Sequence, residues 1–124
     1  MTNEQIREFL QNAIDENRVM LFMKGTPDEP RCGFSARAAA VLNALDARYA
    51  ALDILPDPRI KQELVAISGW PTSPQLFVDG NLVGGCDIML EMYESGELAQ
   101  LIGVAQPAED ETPDPPEAAS PESA

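Results

Sequence analysis

Five consecutive apolar residues, Val19-Met20-Leu21-Phe22-Met23, constrain this chain more than any other stretch. A strand with one wet face alternates apolar and polar side chains, because successive residues point to opposite faces. An unbroken apolar run therefore predicts a strand covered on both faces, and so a sheet with a layer on either side. At 124 residues the chain has length for one domain plus, at most, a tail.

The flanking patterns supply those layers. Thr2 and Gln5 have capping-box spacing, and Ile6, Phe9, Leu10, Ala13 and Ile14 recur on one helical face. After the apolar run come a Gly/Pro-rich loop and a second helix over about 33–45, with Ala38, Val41, Leu42 and Leu45 at helical spacing. Residues 48–54 read as a second strand. Asp57 and Pro58 mark the start of a third helix, Ile60, Leu64 and Ile67 its apolar stripe, and Gly69 its stop. Residues 75–78 and 81–83 read as short strands joined across Asp79-Gly80, a tight-hairpin signal. Gly84-Gly85 leads into a last helical region, with Ile88, Met89, Met92 and Tyr93 as core positions and residues 97–102 as an extension past Gly96.

The resulting order is α-β-α-β-α-β-β-α. The first βαβ unit requires parallel strands and a right-handed crossover, and the late hairpin adds an antiparallel edge. The economical solution is an α/β fold of thioredoxin-like arrangement, a four-stranded mixed sheet flanked by helices, over residues 1–104.

Composition narrows the chemistry. The net charge of −13 argues against nucleic acid and anionic membranes as partners. Six of the acids and none of the bases lie from Ala105 onward, so residues 105–124 read as a disordered, acidic, Pro/Ala-rich tail. No apolar run approaches the roughly 20 residues needed to cross a bilayer. The N-terminus has neither the basic segment nor the apolar core of a signal peptide. Two cysteines are too few for a disulfide scaffold, which points to a reducing compartment and a cytoplasmic protein. The absence of histidine excludes Cys–His pairs, Ser–His–Asp triads and Cys/His zinc fingers.

The chemistry then concentrates in Lys24-Gly25-Thr26-Pro27-Asp28-Glu29-Pro30-Arg31-Cys32-Gly33-Phe34-Ser35. Cys32 stands where a loop turns into a helix, and there the backbone N–H groups and helix dipole favour a thiolate. A two-cysteine redox motif would place its partner three residues on. Ser35 stands there instead, able to hydrogen-bond the thiolate but not to resolve a mixed disulfide. Gly33 leaves room for a ligand near the backbone, while Phe34 suits packing as well as chemistry. Gly84-Gly85-Cys86-Asp87 reads as a glycine turn with Asp87 as N-cap. The same helix start is able to receive a carboxylate, with Asp87 accepting from an amine. Cys86 reads as a core or turn residue, with a Cys32–Cys86 disulfide as the minority alternative.

Three blocks resemble the monothiol glutaredoxins: the Lys24-to-Ser35 block, Trp70-Pro71-Thr72-Ser73-Pro74-Gln75-Leu76, and Leu82-Val83-Gly84-Gly85-Cys86-Asp87. The resemblance covers roughly residues 5–103. It implies glutathione as a cofactor, contacted by Lys24, by the backbone of Ser73 beside a cis Pro74, and by Gly85, Cys86 and Asp87 at the γ-glutamyl end. Lys61 stands where relatives often carry an arginine for the other terminal carboxylate, and keeps the charge without the bidentate fork. The resemblance further implies a 2Fe–2S cluster held by Cys32 and glutathione from each of two protomers, hence a homodimer. It implies transfer of that cluster to iron–sulfur apo-protein acceptors, and a BolA-like protein as partner. The alternative is a glutathione-dependent thiol–disulfide oxidoreductase acting on glutathionylated proteins. A third, plainer possibility is a thioredoxin-like adaptor that only binds protein partners.

Overall fold

The computed structural model describes residues 1–103. The expected tail, residues 105–124, lies outside the described residues. Helix α1 (Asn3–Glu16) starts at a closed capping box: the Thr2 hydroxyl accepts the Gln5 N–H at 3.1 Å, and the Gln5 side chain accepts the Thr2 N–H at 2.8 Å. Strand β1 (Val19–Met23) is buried along its whole length, as its unbroken apolar run requires. Helix α2 (Gly33–Ala44) crosses over to β2 (Ala50–Asp53), which pairs parallel with β1 from Met20↔Ala50 to Met23↔Asp53.

Asp57 caps α3 (Pro58–Ser68), accepting the Arg59 N–H at 3.0 Å, and Gly69 ends it in the left-handed region at φ 72°. Strands β3 (Gln75–Val78) and β4 (Asn81–Gly84) form the hairpin. Both turn residues, Asp79 and Gly80, take positive φ, the pairing that matches strand twist in a two-residue loop. Helix α4 (Cys86–Ser95) ends at Gly96, and α5 (Glu97–Ile102) follows at once as a separate helix.

The sheet order is β2-β1-β3-β4, with β3 antiparallel to β1. Alternation along the two central strands feeds two cores. Val19, Leu21, Met23, Leu76 and Val78 face α2, α4 and α5. Met20, Phe22 and Phe77 face α1 and α3, with the Phe22 and Phe77 rings edge to face at 5.8 Å. The four-stranded mixed sheet flanked by helices is as expected.

Four local expectations are corrected. Asp87 is not the N-cap of α4: Gly85 holds that position, and Asp87 stands in the first turn with no side-chain capping bond. Phe9 is 51% exposed, because the buried stripe of α1 is the narrow line Ile6, Leu10, Ile14. Phe9 stands about 100° around the helix from Leu10 and so misses it. Strand β2 is shorter than its apolar pattern, since an edge strand stays in register with β1 for four residues only. In α4, Met89 is fully buried, whereas Ile88, Met92 and Tyr93 are only half-buried at the border of the core.

Candidate functional site

The site forms where β1 ends. The Lys24 carbonyl accepts the Arg31 N–H at 2.9 Å, so the chain leaves β1 and returns to the same point seven residues later. Between them the Thr26 carbonyl accepts the Glu29 N–H at 3.1 Å, and the Glu29 carbonyl accepts the Thr26 N–H at 3.2 Å. Gly25, at φ 89°, makes this closure possible, because a Cβ there would collide with the Glu29 carbonyl oxygen. The Gly25 N–H donates to Asp53 Oδ1 at 2.9 Å, which ties the loop to the end of β2.

This loop delivers Cys32 to the N-cap of α2 in extended conformation. No side-chain hydrogen bond caps that helix start, which leaves its N–H groups to act on the thiol. The backbone N–H of Ser35 and then that of Phe34 lower the Cys32 pKa most strongly. Partial burial opposes them; the Lys24 charge and the Ser35 hydroxyl add smaller lowering effects. Ser35 itself is fully buried, and its Oγ accepts the Lys24 N–H at 3.0 Å. One hydroxyl thus joins the end of β1 to the start of α2 and also faces the reactive sulfur. Cys86 is the opposite case. Burial at the first turn of α4, with help from the Asp87 charge, pushes its pKa up. Both cysteines are free thiols.

Beside Cys32 a cleft of about 180 Å³ opens between the start of α2, the loop before β3 and the start of α4. Phe34, Trp70, Ser73, Pro74, Gly85 and Asp87 are among its walls. The Ser73–Pro74 peptide is cis. A Cβ on Gly85 would stand 3.3 Å from both the Pro74 carbonyl oxygen and Trp70 Nε1, tighter than an ordinary contact, so glycine eases the close approach of α4 to this loop.

The glutaredoxin family pattern matches residues 19–83. Glutaredoxin 4 of Escherichia coli (strain K12) is 56% identical over 95 residues, 77% of this chain and 83% of the relative. A Rickettsia prowazekii (strain Madrid E) protein named "Probable monothiol glutaredoxin 2" is 47% identical over 102 residues, 82% of this chain and 95% of that one. The solution structure of reduced poplar apo GrxS14 matches with a TM-score of 0.70 at 42% identity, covering 79% of this chain and 90% of that one. The chain belongs to the monothiol glutaredoxins.

Of the glutaredoxin residues expected from sequence, the structure gathers Phe34, Ser73, Pro74, Gly85, Cys86 and Asp87 into one cleft. Cys32 and Lys24 are not among its walls, but Cys32 is near enough to the wall residue Cys86, and Lys24 near enough to Cys32, for their charges to act on one another. Gly33 is exposed, and a Cβ there would meet no protein atom, so nothing within the described residues demands glycine at that position. Lys61 is exposed on α3 and is not among the cleft walls. Phe34 is 55% exposed, a large apolar ring presented beside the thiol rather than packed in the core. Sequence reasoning missed Trp70, Thr72 and Ile88 as cleft walls. The first two stand inside the family's second block, which was the available signal. Among the described residues no group of three Cys, Asp or Glu side chains is arranged to hold a metal ion.

Proposed function

We propose that this monothiol glutaredoxin binds glutathione in the cleft beside Cys32 and carries a 2Fe–2S cluster shared by two copies of the chain, for delivery to iron–sulfur apo-proteins. One observation carries the reading: a single thiol of lowered pKa, Cys32, is half-buried at a helix start, while the other thiol, Cys86, is buried and its pKa raised. A 2Fe–2S cluster commonly takes four thiolates. One protomer offers one, so two Cys32 thiolates and two glutathione thiolates make the set. The cluster is then cargo, held by one protein ligand per chain and by exchangeable small thiols, which suits transfer.

The cleft supports glutathione as that small thiol. Gly85 and the first N–H groups of α4 favour a carboxylate, and Asp87 beside them favours an α-amino group. Ser73, a cleft wall followed by a cis proline, offers its backbone to an extended peptide, and Lys24 offers a positive charge that acts on the thiol. Lys61 holds the far carboxylate only if the ligand extends past the cleft walls. A BolA-like protein as partner and a cytoplasmic location complete the proposal. No helix among the described residues is long and apolar enough to cross a membrane.

The second reading rests on the lowered Cys32 pKa. The thiolate attacks the glutathione sulfur of a glutathionylated protein, forming a Cys32–glutathione disulfide and releasing the protein thiolate. A second glutathione thiolate then attacks that disulfide, freeing Cys32 and leaving oxidised glutathione. Anaerobic reconstitution with iron, sulfide and glutathione, followed by visible absorption and gel filtration, separates the two readings. A coloured dimer that needs both glutathione and Cys32 is the expected result. A colourless monomer that still removes glutathione from a mixed disulfide would overturn the carrier reading.

A further inference from the structure

The loop that forms one wall of the cleft, residues 70–74, has little backbone support of its own. None of the backbone–backbone hydrogen bonds outside helices and strands involves these residues. Side chains hold it instead. Ser68 Oγ, at the end of α3, accepts the Trp70 N–H at 3.0 Å. From the other end, Gln75 Nε2 donates to the Trp70 carbonyl at 2.9 Å and to the Thr72 carbonyl at 3.0 Å. Two carbonyl acceptors decide which end of the amide faces the loop, since only the NH2 group donates. Gln75 is 1% exposed and is the first residue of β3, paired in register with Phe22 on the central strand β1. Its Oε1 is buried without a protein partner. A buried amide that leaves its oxygen unpaired while using both N–H groups on one loop serves that loop at a cost.

We infer that Gln75 is a positioning residue: its amide pins the Trp70 and Thr72 carbonyls to the rigid sheet, and so sets where the Ser73 backbone meets glutathione. Ser68 holds the same loop from the helix side and contributes less, with one bond against two. The inference rests on the glutathione site proposed for this cleft. Neither residue is among the groups that act on the Cys32 thiol or among the cleft walls, so the effect falls on ligand affinity and not on the thiol.

The test measures glutathione binding by calorimetry, the pH profile of Cys32 alkylation by iodoacetamide, and thermal stability, for the full chain and for Gln75→Leu and Ser68→Ala. Loss of two buried hydrogen bonds predicts glutathione binding about tenfold weaker in Gln75→Leu, and about threefold weaker in Ser68→Ala. The Cys32 alkylation profile stays where it is in both. A folded Gln75→Leu protein that binds glutathione like the wild type overturns the inference, and so does a loss of affinity accompanied by a shifted Cys32 profile. If Gln75→Leu does not fold, unchanged affinity in Ser68→Ala overturns it. Failure of the wild type to bind glutathione at all would overturn the proposed site and this inference together.

Discussion

Replacing Ser35 by alanine separates what holds the site together from what activates it. The hydroxyl is fully buried and accepts the Lys24 N–H at 3.0 Å. Its removal leaves that donor unpaired where β1 ends, which costs about 1–3 kcal/mol. For a domain of about 100 residues each kcal/mol is worth roughly 5 °C, so the melting temperature falls by roughly 5–15 °C. The thiol responds less. The largest influence on Cys32 is the Ser35 backbone N–H, followed by that of Phe34, and alanine keeps both. Only the smallest contribution, the hydroxyl, is lost. The Cys32 pKa therefore rises but stays below the ordinary cysteine value. Differential scanning calorimetry gives the first quantity and thiolate absorbance near 240 nm against pH gives the second. An unchanged melting temperature would show that the hydroxyl is not structural. A Cys32 that titrates like a free cysteine in Ser35→Ala would refute the assignment of thiolate stabilisation to the helix N–H groups.

The two cysteines should separate in an alkylation profile. Cys32 reacts with a midpoint below the ordinary thiol value, losing reactivity as pH falls through its lowered pKa, whereas Cys86 reacts only above the ordinary value. Mass spectrometry after brief labelling at neutral pH should find one modified residue, Cys32, and equal labelling of both would contradict the opposed environments. At the other end of the molecule, Arg18 donates to Asp79 Oδ1 at 3.0 Å, to the Leu101 carbonyl at 3.1 Å and to the Ile102 carbonyl. Arg18→Ala should destabilise the domain by about 1–3 kcal/mol and lower amide-exchange protection in α5, while leaving Cys32 alkylation unchanged. Full protection of α5 in that variant would show that apolar contacts alone hold the helix.

Local chemistry made most of the architecture readable in advance. A run with no polar residue had to be a central strand, Asp57-Pro58 had to start a helix, and Asp79-Gly80 had to be a tight turn. These signals work because each states where backbone groups find partners within a few residues. What was hidden depends on distant packing. Phe9 carries the right spacing for a buried face, yet the width of that face is set by α3 and β1. Gln75 is a polar residue that the solvent-facing rule would place outside, but the loop before it consumes its N–H groups inside. The site followed the same division. Cys32 at a helix start was legible because helix geometry alone predicts its N–H neighbours. The role of Trp70 was not, because its contact with Gly85 joins segments 15 residues apart.

Arg18 has one more implication, for how the protein is handled. It immediately precedes β1, and Cys32 belongs to the loop that begins at the far end of that strand. Five residues of strand span roughly 17 Å. The last described residue, Gly103, lies against the Arg18 guanidinium, its ideal Cβ position 3.7 Å away. Gly103 therefore stands at the end of β1 opposite the thiol loop. A fluorophore, affinity handle or surface tether fixed at Gly103 begins about a full strand length from the loop that carries the reactive sulfur, on the same face of the sheet. Immobilised through Gly103, the molecule is held at the end of β1 away from the cleft.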